Sequence, residues 1–161
     1  MTSSNIASSS LTTPSDLEIV MTRVFDAPRD LVFKAYTDPE AIPQWWGQRA
    51  STTTVDKMDV RPGGVWRYIQ RDADGNEYAF NGEYREIIPP ERLVNTFEFE
   101  PMPGHVTVDT ATFEDVDGKT RLTVSSLFTC IEDRDGMLSS GMEEGAIETW
   151  DRLAEYLAAA Q

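Results

Sequence analysis

Side chains capable of acid–base or metal chemistry are present in this chain of 161 residues, but their spacing assembles no recognisable site. His105 is the one histidine, and it follows Pro103-Gly104, which indicates a turn that faces water. A single histidine, with Cys130 as the one thiol, makes a poor set of metal ligands. Gly63-Gly64 indicates a turn and lacks the rest of a phosphate-binding motif. We therefore predict no catalytic residue, no metal site and no cofactor.

Carboxylates are numerous, and three pairs of them lie close together in sequence. Each pair fits a solvent-facing role, as hairpin turn, helix N-terminal charge or helix surface. Glu144 is the most interesting, because it precedes Gly145 on a helix predicted to face a sheet; we favour an outward or rim position for it. An acid–base enzyme would require a buried carboxyl or imidazole with a shifted pKa. The pairs are Asp115 and Asp117, Asp133 and Asp135, and Glu143 and Glu144.

Aromatic side chains point to binding, because they recur at alternate positions of three strand-like segments. Alternate residues of a strand face the same side of a sheet. If that side faces inward, these rings form a large apolar wall with a few hydroxyl groups, which is typical of small-molecule sites. Ordinary core filling is the alternative for each ring taken alone. The predicted wall residues are Trp66, Tyr68, Tyr78, Phe80, Tyr84, Phe97 and Phe99.

Four further residues complete the predicted ligand site. Two adjacent tryptophans cannot both point into one core, so we assign Trp46 of the Trp45-Trp46 pair to the cavity entrance. Met142 and Trp150 belong to the apolar stripe of a long C-terminal helix. Gly145, like Gly141, is unfavourable inside a helix, and the two indicate either a bent or locally weakened helix or a close approach of the backbone to the sheet or a ligand.

The predicted elements run in the order strand, two short helices, six strands and a long helix. Asp26 is the predicted cap of the first helix. Asp74-Gly75 and Asp117-Gly118 indicate hairpins. This order favours an α+β fold, in which a curved antiparallel sheet of about six or seven strands wraps around the C-terminal helix. The predicted strands span residues 17–25, 55–60, 65–71, 78–88, 93–100, 106–114 and 120–129, and the long helix spans residues 133–159.

Composition restricts the classes of partner. The formal net charge of −14 argues against binding to nucleic acids and anionic membranes. No apolar run approaches the ~18 residues that a membrane helix needs, and the N-terminus lacks the pattern of a secretory signal. The Ser/Thr-rich residues 1–16 are predicted to be a disordered tail before one domain over residues 17–161. Cys130, being alone, suits a reducing cytoplasm.

Four sequence blocks stand out along the chain: Phe25-Asp26-Ala27-Pro28 with Leu31-Val32-Phe33, Thr37-Asp38-Pro39 with Trp45-Trp46-Gly47, Asp59-Val60-Arg61-Pro62-Gly63-Gly64-Val65-Trp66, and Gly141-Met142-Glu143-Glu144-Gly145. They resemble the START-like (SRPBCC, helix-grip) superfamily and, within it, the branch of homologues of the heat-shock-protein-90 ATPase activator. The resemblance covers roughly residues 18–157 in the expected order. After the last block Ala146 stands where relatives often carry Trp, and Trp150 lies one turn later.

The resemblance and the aromatic pattern together leave three functions open. The leading one is a cytoplasmic binding or carrier protein for a small hydrophobic or aromatic molecule, held between sheet and helix. The second is a cyclase- or aromatase-like enzyme that uses the same cavity, with tyrosines or Glu144 moving protons. The third is a co-chaperone-like interaction module. We rank it last because the eukaryotic activator joins such a domain to a separate N-terminal domain, whereas only the Ser/Thr-rich segment precedes the first predicted strand of this sequence. The sequence also leaves open whether the chain binds a protein partner or forms a homodimer.

Overall fold

One antiparallel sheet of eight strands forms the framework of residues 9–161, the part of the chain that the computed structural model describes. The strands are ordered β1-β2-β8-β7-β6-β5-β4-β3, so the chain meanders from β3 to β8 and β2 joins the far end. They are β1 Ser9–Thr12, β2 Glu18–Phe25, β3 Thr52–Met58, β4 Val65–Arg71, β5 Glu77–Ile88, β6 Arg92–Phe99, β7 Thr107–Val116 and β8 Lys119–Leu127.

Four helices accompany the sheet within the described residues: α1 Arg29–Thr37, α2 Ile42–Trp45, α3 Ile131–Ser139 and α4 Met142–Ala159. The predicted α+β class, with two short helices after the first predicted strand and a long C-terminal helix, is confirmed. None of these helices combines the length and the apolar character needed to cross a bilayer.

The packed core lies under α1 and the C-terminal half of α4. Leu153 and Leu157 of α4 are fully buried there, and the ring of Phe25 meets Trp150 edge-on at 5.7 Å. Phe33 of α1 packs edge-on against Phe113 of β7 at 5.2 Å. Apolar burial of this kind is the main driving force of folding. In the N-terminal half of α4, Met142, Ala146 and Ile147 are only partly buried against this core. This half of the helix borders the cavity described below.

Part of the predicted disordered tail is ordered. Ser9–Thr12 form β1, which pairs antiparallel with β2, and Leu11 packs against the core. The prediction was wrong for these residues because composition cannot reveal that the edge of β2 offers unpaired backbone groups to a polar segment. The remaining tail residues 1–8 lie outside the described part of the chain.

The predicted C-terminal helix is divided in two. Gly141 adopts φ +84, in the left-handed region, and separates α3 from α4. Glycine enters this region without the steric cost that a Cβ brings, so the chain can turn here between helices. Asp26 was also wrongly predicted as a cap, since Pro28 occupies the N-cap of α1 and no side chain caps that helix.

Two glycine substitutions test this break. Gly136 lies inside α3 with open space where a Cβ would sit, so Gly136→Ala should stabilise the fold by about 0.5–1 kcal/mol. Gly141 also has open space, but its φ is left-handed, so Gly141→Ala should destabilise by about 1–2 kcal/mol. Urea denaturation of both variants measures the difference. Stabilisation by both would mean that residues 133–159 form the continuous helix predicted from sequence.

Candidate ligand cavity

A cavity of about 720 Å³ lies between the sheet and the N-terminal half of α4. Its wall is formed by the inner faces of six strands, by α1 and α2, by one methionine of α3 and by the first turns of α4. Small-molecule sites in proteins range from about 300 to 1,000 Å³. The cavity is therefore large enough for a drug-sized ligand.

All eleven residues that the sequence predicted as a ligand site line this cavity. Strand periodicity brought the aromatic ones together correctly, because the rings of β4, β5 and β6 face the same side. That these residues contact a ligand stays a prediction. They are Trp46, Trp66, Tyr68, Tyr78, Phe80, Tyr84, Phe97, Phe99, Met142, Gly145 and Trp150.

The paired tryptophans both line the cavity but differ in burial. The assignment of Trp46 to the cavity entrance stays a prediction. Trp45 is 1% exposed, and its Nε1 donates a hydrogen bond to the Ala35 carbonyl at 3.1 Å. Trp46 is half-buried and meets Tyr68 and Phe80 edge-on, at 5.0 and 5.2 Å between ring centroids. The edge of one ring is attracted to the face of another, so these contacts fix Trp46 against the wall.

Gly82 allows an indole to lie against the sheet. A Cβ at this position would stand 2.4 Å from Nε1 of Trp66 and 1.9 Å from the Thr96 carbonyl oxygen, so no larger residue fits. The Trp66 Nε1 is buried and has no hydrogen-bond partner among the described residues. The indole thus gives the wall apolar area, with one donor left unsatisfied.

Four tyrosines line the wall: Tyr78, which is exposed, and three phenols that are more deeply placed, Tyr36, Tyr68 and Tyr84. Tyr36 accepts a hydrogen bond from Nε1 of Trp150 at 3.0 Å, which leaves its own proton free to be donated. Burial raises the pKa of Tyr36 and of Tyr68 well above the ordinary value, and raises that of Tyr84 to about 12. All three phenols are therefore neutral hydrogen-bond donors near pH 7.

A polar row that sequence reasoning missed crosses the apolar wall. Asn95 of β6, Asp109 of β7 and Ser126 of β8 are direct neighbours in register, and all three line the cavity. Burial raises the pKa of the Asp109 carboxyl to about 6, although hydrogen bonds from Ser126 and Thr107 work in the opposite direction. A signal was present in the sequence: Asp109 shares the inward face of β7 with Ala111 and Phe113, where a carboxylate is out of place.

The remaining candidates for chemistry lie at the surface. Glu144 is exposed and does not line the cavity, in agreement with the outward position predicted from the sequence. His105 is half-exposed, with Nδ1 at 2.9 Å from Oδ1 of Asp133, and this contact holds the pKa of Asp133 below its usual range. Within residues 9–161, no group of three or more His, Cys, Asp or Glu side chains is arranged to hold a metal ion.

Comparison with solved structures supports the fold over nearly the whole chain. A protein from Rhodobacter sphaeroides superposes with a TM-score of 0.89 at 24% identity, covering 94% of this chain and 99% of that one. Protein Ms6760 from Mycobacterium smegmatis gives 0.80 at 26% identity, covering 92% and 97%. DynU16, a protein of the dynemicin biosynthetic locus, gives 0.70 at 24%, covering 92% of this chain and 49% of its own.

Among curated proteins, none matches this chain. Residues 26–158 match the model of a family described as activator of Hsp90 ATPase homolog 1-like protein. This span contains α1 to α3, all of α4 but its last residue, the six strands from β3 to β8 and the cavity wall except for two residues of β2. The chain therefore belongs to the activator of Hsp90 ATPase homolog 1-like family, within the START-like helix-grip superfamily.

Proposed function

We propose that this protein binds and carries a small hydrophobic or aromatic molecule in the cavity between the sheet and α4. The cavity itself is the observation that carries the proposal. A space of about 720 Å³ walled by aromatic rings holds water against apolar surface when no ligand is bound, and release of that water by an apolar ligand is favourable.

Small residues on α4 keep the space open. Gly145 and Ala146 both face the cavity, and a Cβ at Gly145 would come within 3.1 Å of the Gln48 side chain. Ala146 lines the wall with a single methyl group, so a larger side chain at this position would project into the cavity. We also propose a cytoplasmic location, which is supported by the single thiol of Cys130 and by the family.

Acid–base catalysis in the same cavity is the second candidate, favoured by one observation. Asp109 is an acid inside the cavity whose pKa is raised to about 6, and its charge acts on the phenol of Tyr36. A carboxyl that titrates close to neutral pH suits proton transfer. The origin of DynU16 in a biosynthetic locus is compatible with this alternative. Glu144, the carboxylate considered from sequence, is outside the cavity, so Asp109 would take its place.

Native mass spectrometry of the freshly purified protein, repeated after denaturation, tests the carrier function. A reproducible excess mass that vanishes on denaturation would give the size of a carried ligand. If the protein is isolated empty, a thermal-shift screen of aromatic and lipidic compounds follows, since a ligand at 100 times its Kd adds about 2.7 kcal/mol of stability. No excess mass and no shift across the screen would overturn the proposal.

Filling the cavity should abolish binding without unfolding the protein. Ala146→Trp places an indole in the cavity, so we expect ligand affinity to fall about tenfold or more. The free energy of unfolding should stay level or rise by ~0.5–2 kcal/mol, because the added ring fills space between the helix and the sheet. Ala159→Trp, at the exposed end of α4, is the matched control and should leave binding intact. Calorimetric titration with the best ligand of the screen measures both. Unchanged affinity in Ala146→Trp would place the binding site elsewhere.

Ionised Asp109 should make the protein less stable. The unfolded chain releases this proton near pH 3.8 and the folded chain near pH 6, so stability falls as pH rises through this window. Asp109→Asn removes the charge, and we expect it to stabilise the fold by about 3 kcal/mol at pH 8 and by only about 1 kcal/mol at pH 4.5. Urea denaturation at both pH values measures this.

The control for this change is Glu114→Gln, an exposed position on the same strand, which should show no such dependence. A lower stability of Asp109→Asn at both pH values would assign the carboxylate a structural role in the sheet. A gain of stability on removing a native charge would instead indicate a residue retained for function.

A further inference from the structure

The ionisable groups of the cavity wall can carry negative charge but not positive charge. Within the described residues the wall contains carboxyls and phenols but no lysine, arginine or histidine. A ligand with a carboxylate would therefore be buried without a cation to pair with it, which is expensive. Fatty acids and aromatic acids are disfavoured by this lining. The ionisable groups are Tyr36 of α1, Tyr68 of β4, Tyr78 and Tyr84 of β5, Asp109 of β7 and Asp72 of the β4–β5 turn; α2, α3 and α4 contribute none.

Of the two carboxyls, Asp109 is the one that lacks compensation. Its partners are hydroxyls: Thr107 Oγ1 stands 3.4 Å from its Oδ1, at the edge of hydrogen-bond distance, and Ser126 lies beside it on β8. No basic side chain contributes to its electrostatics. Asp109 is half-buried at the cavity wall. It has lost part of its hydration without gaining a charged partner, so it gains more from an added cation than a carboxylate that is already paired.

Asp72, by contrast, is well satisfied within its turn. It accepts hydrogen bonds from the backbone N–H groups of Asp74 and Asn76, at 2.9 and 3.0 Å, and from the Asn76 amide at 3.3 Å. Burial opposes ionisation, but the hydrogen bonds from Asn76, Asp74 and Tyr78 hold the pKa of Asp72 below its ordinary value. It needs no cation from a ligand.

The aromatic wall adds a second attraction for positive charge. The faces of tryptophan, tyrosine and phenylalanine rings attract cations through their quadrupole. Trp66, Tyr68, Phe80 and Phe97 form one contiguous set, with neighbouring ring centroids 4.6–6.1 Å apart. The net charge of −14 acts in the same direction over longer distances by raising the local concentration of cations.

We propose that the ligand is a cationic amphiphile, with an aromatic or other apolar body against the rings and one protonated amine paired with the carboxylate of Asp109. This inference rests on the proposed function and narrows its ligand class. Asn95 and Ser126, on either side of Asp109, supply further oxygens that can accept the remaining N–H bonds of the ammonium group. Tyr36, whose proton is free to be donated, can supply one more hydrogen bond to the carboxylate or to the ligand.

Three probes that share one ring system separate the possibilities: naphthylethylamine, naphthylethanol and naphthylacetate. Calorimetric titration of the full chain at pH 7.5 should rank the amine at least tenfold tighter than the alcohol, with the acid weakest. The amine stays protonated throughout the working range, since an aliphatic ammonium has a pKa of about 10. Lowering the pH to 5 should reduce the amine's advantage over the alcohol as Asp109 takes up its proton.

Asp109→Asn should lower the ratio of amine to alcohol affinity about tenfold and remove its dependence on pH between 5 and 7.5. Glu114→Gln, with the same change of net charge at an exposed site of β7, should keep both. The alcohol or the acid binding as tightly as the amine would overturn the inference and leave the carrier function standing. A ratio that Asp109→Asn leaves unchanged would also overturn it. Binding of none of the three probes would count against the carrier function itself.

Discussion

The cavity depends on how α4 is held. Its C-terminal half is fixed to the sheet by buried leucines and by an ion pair between Asp151 and Arg23 of β2 at 2.7 Å, in which the arginine is only 4% exposed. Arg152 donates to the carbonyl oxygens of Gly47 and Gln44, at 2.9 and 3.2 Å, and so ties the helix to the segment after α2. With the C-terminal half fixed in this way, the N-terminal half of α4 lies over the inner face of the sheet and borders the cavity.

The stability of the fold and the contents of the site are only partly separate. The apolar packing under α1 and around Leu153 and Leu157 lies outside the cavity wall, whereas the buried Trp66, Tyr68 and Tyr84 belong both to the core and to the wall. Partly buried wall residues such as Ala146 can therefore vary with a smaller loss of core contacts. A superfamily built on such a scaffold can host many ligands on one fold, which is why the ligand must be argued from the chemistry of the wall and not from the family.

Sequence periodicity was sufficient for the fold and for the aromatic part of the site. Alternation in β4, β5 and β6 placed the rings on one face, and curvature of the sheet around a helix followed from the need to bury the stripe of α4. β1 depended on a tertiary contact and could not be predicted, since it forms because β2 has an open edge. Gly141 and Gly145 predicted a bent or weakened helix, but the full break at Gly141 depends on a left-handed φ that composition does not show. Asp109 was missed for a different reason. Its inward register was deducible from Ala111 and Phe113, but Asp109 belongs to none of the carboxylate pairs that are close together in the sequence.

A lone carboxylate in an aromatic cavity is hard to explain by folding alone. Its ionisation is opposed by burial, and the neighbouring hydroxyls of Thr107 and Ser126 offset this only in part. An asparagine would fit the same space and hydrogen-bond to the same neighbours without the cost of a buried charge. Residues that cost stability persist where function requires them, so the charge at Asp109 points to something it binds or protonates. The absence of basic groups from the described wall favours binding of a cation, since a carboxylate with no internal counter-ion retains its full attraction for an external one.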